Sequence, residues 1–140
     1  MIILDTNVLS ELMRPAPDPT VRAWLAKQFR TELFTTSISE AEIFYGVELL
    51  SPGKRREKLL AAAEEIFAEE FAGRIVGFES DAARNFSRIL AQRRSLGRPI
   101  GYADAQIAAI AQVRRAILAT RNVADFRDCG VDLVDPWNVT

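Results

Sequence analysis

The sequence has no histidine and only one cysteine, Cys129. Without histidine it cannot build the Ser-His-Asp, Cys-His or paired-imidazole sites used by most nucleophilic hydrolases. One thiol cannot form an internal disulfide, and without imidazole it cannot complete a tetrahedral zinc site. Any chemistry must therefore rest on carboxylates, hydroxyls, arginines or a bound ion.

Long apolar runs and an excess of charge of one sign are also missing. The apolar runs are only a few residues long and the start shows no signal-peptide pattern, so we expect a cytoplasmic protein without membrane contact. The 18 basic and 19 acidic residues give a net charge of −1, which argues against a duplex-DNA binder with a wide basic face. With 140 residues, 49% of them apolar, we expect one domain over residues 1–140.

Short strand-like runs alternate with helical patterns along the chain. The predicted strands cover residues 2–4, 33–35, 74–78, 116–119 and 131–134. These runs hardly alternate apolar and polar residues, which is typical of strands covered by helices on both faces. The pattern predicts an α/β fold, with a mostly parallel central sheet of about five strands flanked by helices on both sides.

An aspartate, Asp5, directly follows the first predicted strand in the segment LDTNVL. In an open α/β sheet, ligands collect at the carboxyl ends of the strands, so this position indicates function. The alternative is that Asp5 or Asn7 caps the helix that follows, through a side-chain oxygen.

A second acid, Glu42, occupies a helix position predicted to face the core. It falls inside an apolar stripe formed by Ile38, Ala41, Tyr45 and Leu49. A buried acid needs a partner. The alternative is a capping box between Ser39 and Glu42.

A third acid, Asp104, opens a helix that is apolar on nearly every face. It shares one side of that helix with Ile107, Ala108 and Ala111. The alternative is that Asp104 only places favourable charge at a helix N-terminus.

The three acids, Asp5, Glu42 and Asp104, share a pattern. Each lies at a strand end or early in a helix, on the side predicted to face the core, which suggests one acidic pocket. Carboxylates gathered in this way repel one another, and a hard divalent cation such as Mg²⁺ or Mn²⁺ is the ordinary means of stabilising them. Such an ion bridges to phosphate oxygens and activates water, so the implied reaction is phosphodiester hydrolysis.

Four segments stand out in a fixed order along the chain: LDTNVL at 4–9, SISEAEIFYG at 37–46, YADAQIAA at 102–109 and ATRNVADF at 119–126. Together they resemble the PIN-domain ribonucleases of the VapC type, and particularly their FitB-like members. The resemblance covers essentially the whole chain and implies a PIN-like fold. It also implies Mg²⁺- or Mn²⁺-dependent cleavage of RNA, a homodimer, and neutralisation by a small antitoxin through which the complex reaches operator DNA.

The resemblance assigns roles to individual positions. The three acids match the family's main acidic positions, which implies that they are catalytic and bind the metal. The implied supporting residues are Thr6, Asn7, Thr120 and Asn122. Where the family often has a fourth acid, this chain has Asn122, which makes a second tightly held ion less expected.

Arginines and one helical stripe are candidates for contacts with partners. Five arginines in the region before Asp104 are possible contacts for RNA phosphates, namely Arg84, Arg88, Arg93, Arg94 and Arg98. The alternative is a solvated helix face. A stripe of Leu60, Ala63, Phe67 and Phe71 belongs either to the core or to a groove for an antitoxin helix.

Two other function classes compete with the nuclease. Aspartyl-phosphate enzymes also place an aspartate at a strand end, but they need a later lysine, and Lys27, Lys54 and Lys58 all lie in the first half of the chain. The other class is a non-catalytic PIN-like binding module that uses its acidic pocket to dock a partner's arginine. This alternative stays open because Asn122 stands where the family often has a fourth acid.

Overall fold

A computed structural model describes residues 1–139 and contains, within them, a five-stranded sheet in the order β3-β2-β1-β4-β5. The strands are β1 (Ile2–Leu4), β2 (Leu33–Thr36), β3 (Ile75–Val76), β4 (Ile117–Ala119) and β5 (Leu133–Val134). All four pairings are parallel. The predicted α/β fold with a parallel sheet of about five strands is confirmed.

Six α-helices lie in the connections between β1, β2, β3 and β4 within the described residues. They are α1 (Thr6–Leu12), α2 (Pro19–Ala26), α3 (Ser37–Glu48), α4 (Lys54–Glu65), α5 (Ser80–Ser95) and α6 (Tyr102–Arg114). A π-helical turn, Ile66–Glu70, continues α4, and a 3₁₀ turn, Val123–Phe126, follows β4. None of these helices, as far as residue 139, combines the length and the apolar character needed to cross a bilayer.

The central strand β1 contributes to two hydrophobic cores, one on each face of the sheet. Ile3 packs with the buried side chains of α5 and α6, whereas Leu4 packs with those of α1 and α4. Both side chains are fully buried, because successive residues of a strand point to opposite faces and helices cover both. The prediction of helices on both sides of the sheet is thus confirmed.

The buried face of α3 differs from the prediction. The helix buries Ser39, Ile43 and Val47, whereas Glu42 is exposed. Tyr45 and Leu49, assigned to the buried stripe, are 65% and 67% exposed. The prediction that Glu42 lies in a buried stripe is therefore wrong. Apolar residues occur on several faces of α3, so periodicity alone cannot select the face that packs against α1 and α6.

Candidate active site

The strand order creates a crevice beside β1. The chain moves from β1 to β2 and β3 on one side, then crosses to β4 and β5 on the other, so the direction reverses between β1 and β4. Ligands in open α/β sheets bind outside the carboxyl ends of strands at such a switch point. Leu4 pairs with Ala119 in the parallel register, which places Asp5 beside Thr120 at this point.

Hydrogen bonds hold Asp5 on both carboxylate oxygens. Its Oδ1 accepts from the Thr6 backbone N–H at 2.8 Å, which caps α1. Its Oδ2 accepts from Thr120 Oγ1 at 2.8 Å and from Asn7 Nδ2 at 3.3 Å. Burial raises the pKa of Asp5, although the hydrogen bonds from Thr120 and Thr6 oppose that shift. The capping interpretation is thus correct, but it accounts for only one of the two oxygens.

Thr6 links Glu42 to the same end of the sheet. Its Oγ1 donates to Glu42 Oε1 at 2.8 Å and lies 2.9 Å from Ser39 Oγ. The capping box between Ser39 and Glu42 is not formed, because Thr36 caps α3 by accepting from the Ser39 N–H at 3.1 Å. Glu42 is therefore an exposed acid that a hydroxyl orients towards β1.

Asp104 lies half-buried in the first turn of α6. Burial raises its pKa to about 6, with further contributions from the negative charges of Asp5, Glu42 and Asp125, while Arg93 opposes the shift. A helix N-terminus by itself would favour the charged form. The raised pKa instead reflects burial first, with repulsion from the neighbouring acids adding to it.

One cavity of about 500 Å³ brings the three acids together. Of the predicted supporting residues, Thr6, Asn7 and Asn122 line it, and Thr120 lies buried beneath them against Asp5. Within residues 1–139, no three or more histidine, cysteine, aspartate or glutamate side chains lie close enough together to hold a metal ion between them. The acids share a cavity but do not form a tight cluster.

Sequence reasoning missed part of the cavity wall. The additional lining residues are Ser10, Glu11, Arg14, Arg121 and Trp137. Ser10 and Glu11 follow Asn7 at helical spacing along α1, and Arg14 continues that spacing just beyond the end of the helix, so periodicity from Asn7 would have found them. Arg121 follows Thr120 in the sequence. No local feature of the sequence marks Trp137, which lies 16 residues further along the chain.

None of the five predicted RNA-contacting arginines lines this cavity. Arg84 and Arg88 line a separate shallow hollow on α5, Arg94 is exposed, and Arg98 forms an ion pair with Asp128.

The hypothesis that Arg93 contacts RNA is wrong, because its side chain is buried. Its Nη1 donates to the carbonyls of Asp125 at 2.6 Å and Arg127 at 3.0 Å, and its Nε donates to the carbonyl of Arg98 at 2.8 Å. A buried guanidinium committed to three backbone carbonyls has a structural role.

A second concave surface, which we call the apolar groove, lies on the α1–α4 side of the sheet. It has a volume of about 470 Å³, and its apolar lining includes Leu12, Met13, Leu25, Leu33, Ile66 and Phe71. Of the stripe predicted for an antitoxin helix, Ala63, Phe67 and Phe71 are buried core residues, and only Phe71 also reaches the groove.

An open parallel sheet with an acidic cavity at its switch point defines an α/β protein with a candidate ligand site at the carboxyl ends of its strands. The sequence matches the PIN domain family over residues 2–130. The protein belongs to that family, and the resemblance noted from its four segments is confirmed.

Individual relatives match over nearly the whole chain. The VapC ribonuclease Y4jK of Sinorhizobium fredii is 38% identical over 137 residues, which cover 98% of each chain. Toxin FitB of Neisseria gonorrhoeae is 36% identical over 138 residues, covering 99% of each. A solved structure of FitAB bound to an IR36 DNA fragment matches with a TM-score of 0.91 and 36% identity, covering 100% of this chain and 98% of that one.

Proposed function

We propose that this protein is a divalent-metal-dependent ribonuclease, the toxin of a toxin-antitoxin pair. The observation that carries the proposal is the meeting of Asp5, Glu42 and Asp104 in one cavity at the carboxyl end of the sheet, where burial, with added repulsion from the other acids, raises the pKa of Asp104. Similarity to a VapC ribonuclease and to toxin FitB supports the reaction and the biological role.

The chemistry of the donors around the cavity suits Mg²⁺ or Mn²⁺. Every candidate ligand offers oxygen, from carboxylates, hydroxyls or the amides of Asn7 and Asn122, and hard cations prefer oxygen. Mg²⁺ usually keeps several waters and binds through one or two carboxylates, so it does not require three acids in direct mutual contact. The three acids would hold the ion, directly or through its waters, and the ion when bound would supply an activated water and a positive charge for the phosphate.

The chain's own residues fix the geometry of these acids. Thr120 and Asn7 hold Asp5 Oδ2, so this carboxylate cannot rotate away from the cavity. Thr6 holds Glu42 across the gap between α1 and α3. Such supporting hydrogen bonds orient a ligand before the ion arrives and reduce the ordering cost of binding.

We further propose the partners and the setting of this activity. An antitoxin helix would cover the apolar groove, and operator DNA would be contacted through the antitoxin alone. The toxin would act on RNA in the cytoplasm as a homodimer. Because β1 supplies both cores, we propose a single domain over residues 1–140.

Cleavage assays test the reaction. With Mg²⁺ or Mn²⁺ the protein should cleave RNA, excess EDTA should stop it, and Asp5→Asn, Glu42→Gln and Asp104→Asn should each lower the rate by about 100-fold or more, because loss of a ligand misplaces ion and water. Asp81→Asn, an exposed acid in the first turn of α5, is the matched control and should retain activity.

Cleavage that persists in excess EDTA would refute the metal-dependent mechanism. Absence of cleavage under all conditions, with intact binding of the antitoxin, would favour a non-catalytic module that docks a partner's arginine in the acidic cavity.

A further inference from the structure

An RNA backbone that enters the acidic cavity meets charges of its own sign. Asp5, Glu42 and Asp104 all line it, and the protein's net charge of −1 supplies no general attraction for RNA. Binding to a polyanion needs local cations that neutralise phosphates. Around the cavity, as far as the structure describes the chain, those cations are two residues, which we call the rim arginines: Arg14 and Arg121.

Arg14 is held in place by a buried carboxylate. Its Nη1 donates to both oxygens of Glu11, at 3.0 and 3.2 Å. The Glu11 side chain is only 7% exposed and also accepts from the Asp18 N–H at 3.3 Å, so it is a fixed anchor. The Arg14 side chain itself is 65% exposed. Both bonds to Glu11 use one nitrogen, which leaves the other guanidinium donors available to a phosphate.

Arg121 is held in a different way, by an aromatic ring. Its guanidinium carbon lies 5.0 Å above the centre of the Trp137 ring, and its backbone N–H donates to Asn7 Oδ1 at 3.3 Å. The Trp137 ring packs against the α1–α4 core, and the backbone N–H of Trp137 donates to Asp135 Oδ1 at 2.9 Å, which holds this part of the chain in place. A cation that stacks on a ring face uses none of its N–H donors in that contact, so the guanidinium N–H groups of Arg121 remain available to a phosphate.

We propose that Arg14 and Arg121 grip the RNA backbone at the mouth of the acidic cavity, with Glu11 and Trp137 as their positioning residues. This inference rests on the proposed ribonuclease function and identifies how the substrate is held. The rim arginines also replace the five arginines predicted from the sequence as the main phosphate contacts, since those five side chains do not line the cavity.

Binding and kinetics of variants test the grip. A fluorescently labelled single-stranded RNA is titrated in EDTA, where cleavage is blocked, and KM and kcat are measured with Mn²⁺. Arg14→Ala and Arg121→Ala should each weaken binding and raise KM by about five- to tenfold, with little change in kcat. Each loss of a phosphate contact should also reduce the slope of log K against log salt by about 0.7. The matched control is Arg22→Ala, an exposed arginine on α2 outside the cavity.

Variants of Trp137 separate positioning from general stability. Trp137→Leu removes the ring face and should raise KM as Arg121→Ala does. Trp137→Phe keeps an aromatic face and should restore most of the affinity. Should Trp137→Leu fail to fold, the comparison of Arg14→Ala and Arg121→Ala with Arg22→Ala still tests whether the rim arginines hold the RNA.

Failure of this inference is distinguishable from failure of the proposed function. A wild-type protein that cleaves RNA, with rim-arginine variants equal to Arg22→Ala in affinity, salt slope and KM, would overturn the grip but leave the nuclease intact. A protein that binds RNA through the rim arginines without cleaving it would overturn only the nuclease. A protein that neither binds nor cleaves RNA would overturn both proposals.

Discussion

Asp5 uses its two carboxylate oxygens for different purposes. Oδ1 caps α1 and Oδ2 is held by Thr120 at the switch point of the sheet. A substitution of Asp5 therefore changes the stability of α1 together with any chemistry in the cavity. Asp104 separates the two effects better, because no hydrogen bond in the described chain joins its carboxylate to a helix N–H.

We predict that Asp104→Asn changes stability in opposite directions with and without metal. In EDTA the variant should unfold at the same or a higher temperature than wild type, because neutralising one acid relieves repulsion from Asp5 and Glu42. With Mg²⁺ at about a hundred times its dissociation constant, wild type should gain roughly 2.7 kcal/mol and the variant should lose most of that gain. Thermal melts in both conditions measure this. A variant that melts well below wild type in EDTA, and gains equally from Mg²⁺, would make Asp104 structural.

The pH dependence of stability follows from the raised pKa of Asp104. The folded-state pKa is about 6 against 3.8 for the unperturbed group, so between these values the folded protein binds more protons than the unfolded chain. The contribution of Asp104 to the free energy of unfolding in EDTA should therefore be fully present only below the unfolded-state pKa of 3.8 and be lost as pH rises through about 6. In urea unfolding, lowering the pH from 7.5 to 5 should raise the free energy of unfolding more for wild type than for Asp104→Asn. An equal gain in both would contradict the assignment.

At the scale of elements, Arg93 connects the end of α5 to the segment that follows β4. Three backbone carbonyls, of Arg98, Asp125 and Arg127, accept from its guanidinium. Replacing it with methionine keeps much of the buried stem but leaves these carbonyls without their donor. We predict a loss of about 2 to 4 kcal/mol in the free energy of unfolding for Arg93→Met.

The neighbouring residue provides the control for this prediction. Arg94 lies on the same helix and is exposed, so Arg94→Met should change stability by no more than about 0.5 kcal/mol. Chemical unfolding of the two variants gives the comparison. Similar effects at both positions would show that the buried hydrogen bonds of Arg93 contribute little.

At the scale of elements, the sequence predicted the presence of helix α3 but not which of its faces is buried. A helix that carries Glu42 was predicted from the sequence, and the structure forms it as α3 with Thr36 as its N-cap. Its buried face was predicted wrongly, since apolar residues lie on more than one side of the helix: Ile43 and Val47 are buried, whereas Tyr45 and Leu49 are exposed. Only packing against α1 and α6 chooses between such faces. Glu42 reaches the cavity from the exposed side of α3, through Thr6.

At the scale of the whole molecule, α1 separates the acidic cavity from the apolar groove. Ser10, Glu11 and Arg14 line the cavity, while Leu12 and Met13 line the groove. A partner helix in the groove is therefore only the width of α1 away from the three acids, about 10 Å. A chain that continues from such a helix can reach the cavity with one long side chain.

We predict that the antitoxin inserts a basic side chain into the acidic cavity and that Mg²⁺ competes with it. A guanidinium pairs with carboxylates in bidentate fashion and substitutes for a divalent ion. The dissociation constant of the complex should rise with Mg²⁺ at fixed ionic strength, as measured by calorimetry, and this dependence should weaken in Asp104→Asn. Affinity that is indifferent to Mg²⁺ once screening is matched would count against the prediction.

The sequence by itself determined the parallel α/β fold and the positions of Asp5 and Asp104, because strand runs, helix periods and polar residues at strand ends are local properties of short segments. The tertiary structure decided which side of α3 faces the core and that Arg93 is buried. It also brought Trp137 to the cavity beside Arg121. These outcomes depend on the packing of elements far apart in the chain, and no single segment contains the information that fixes such packing.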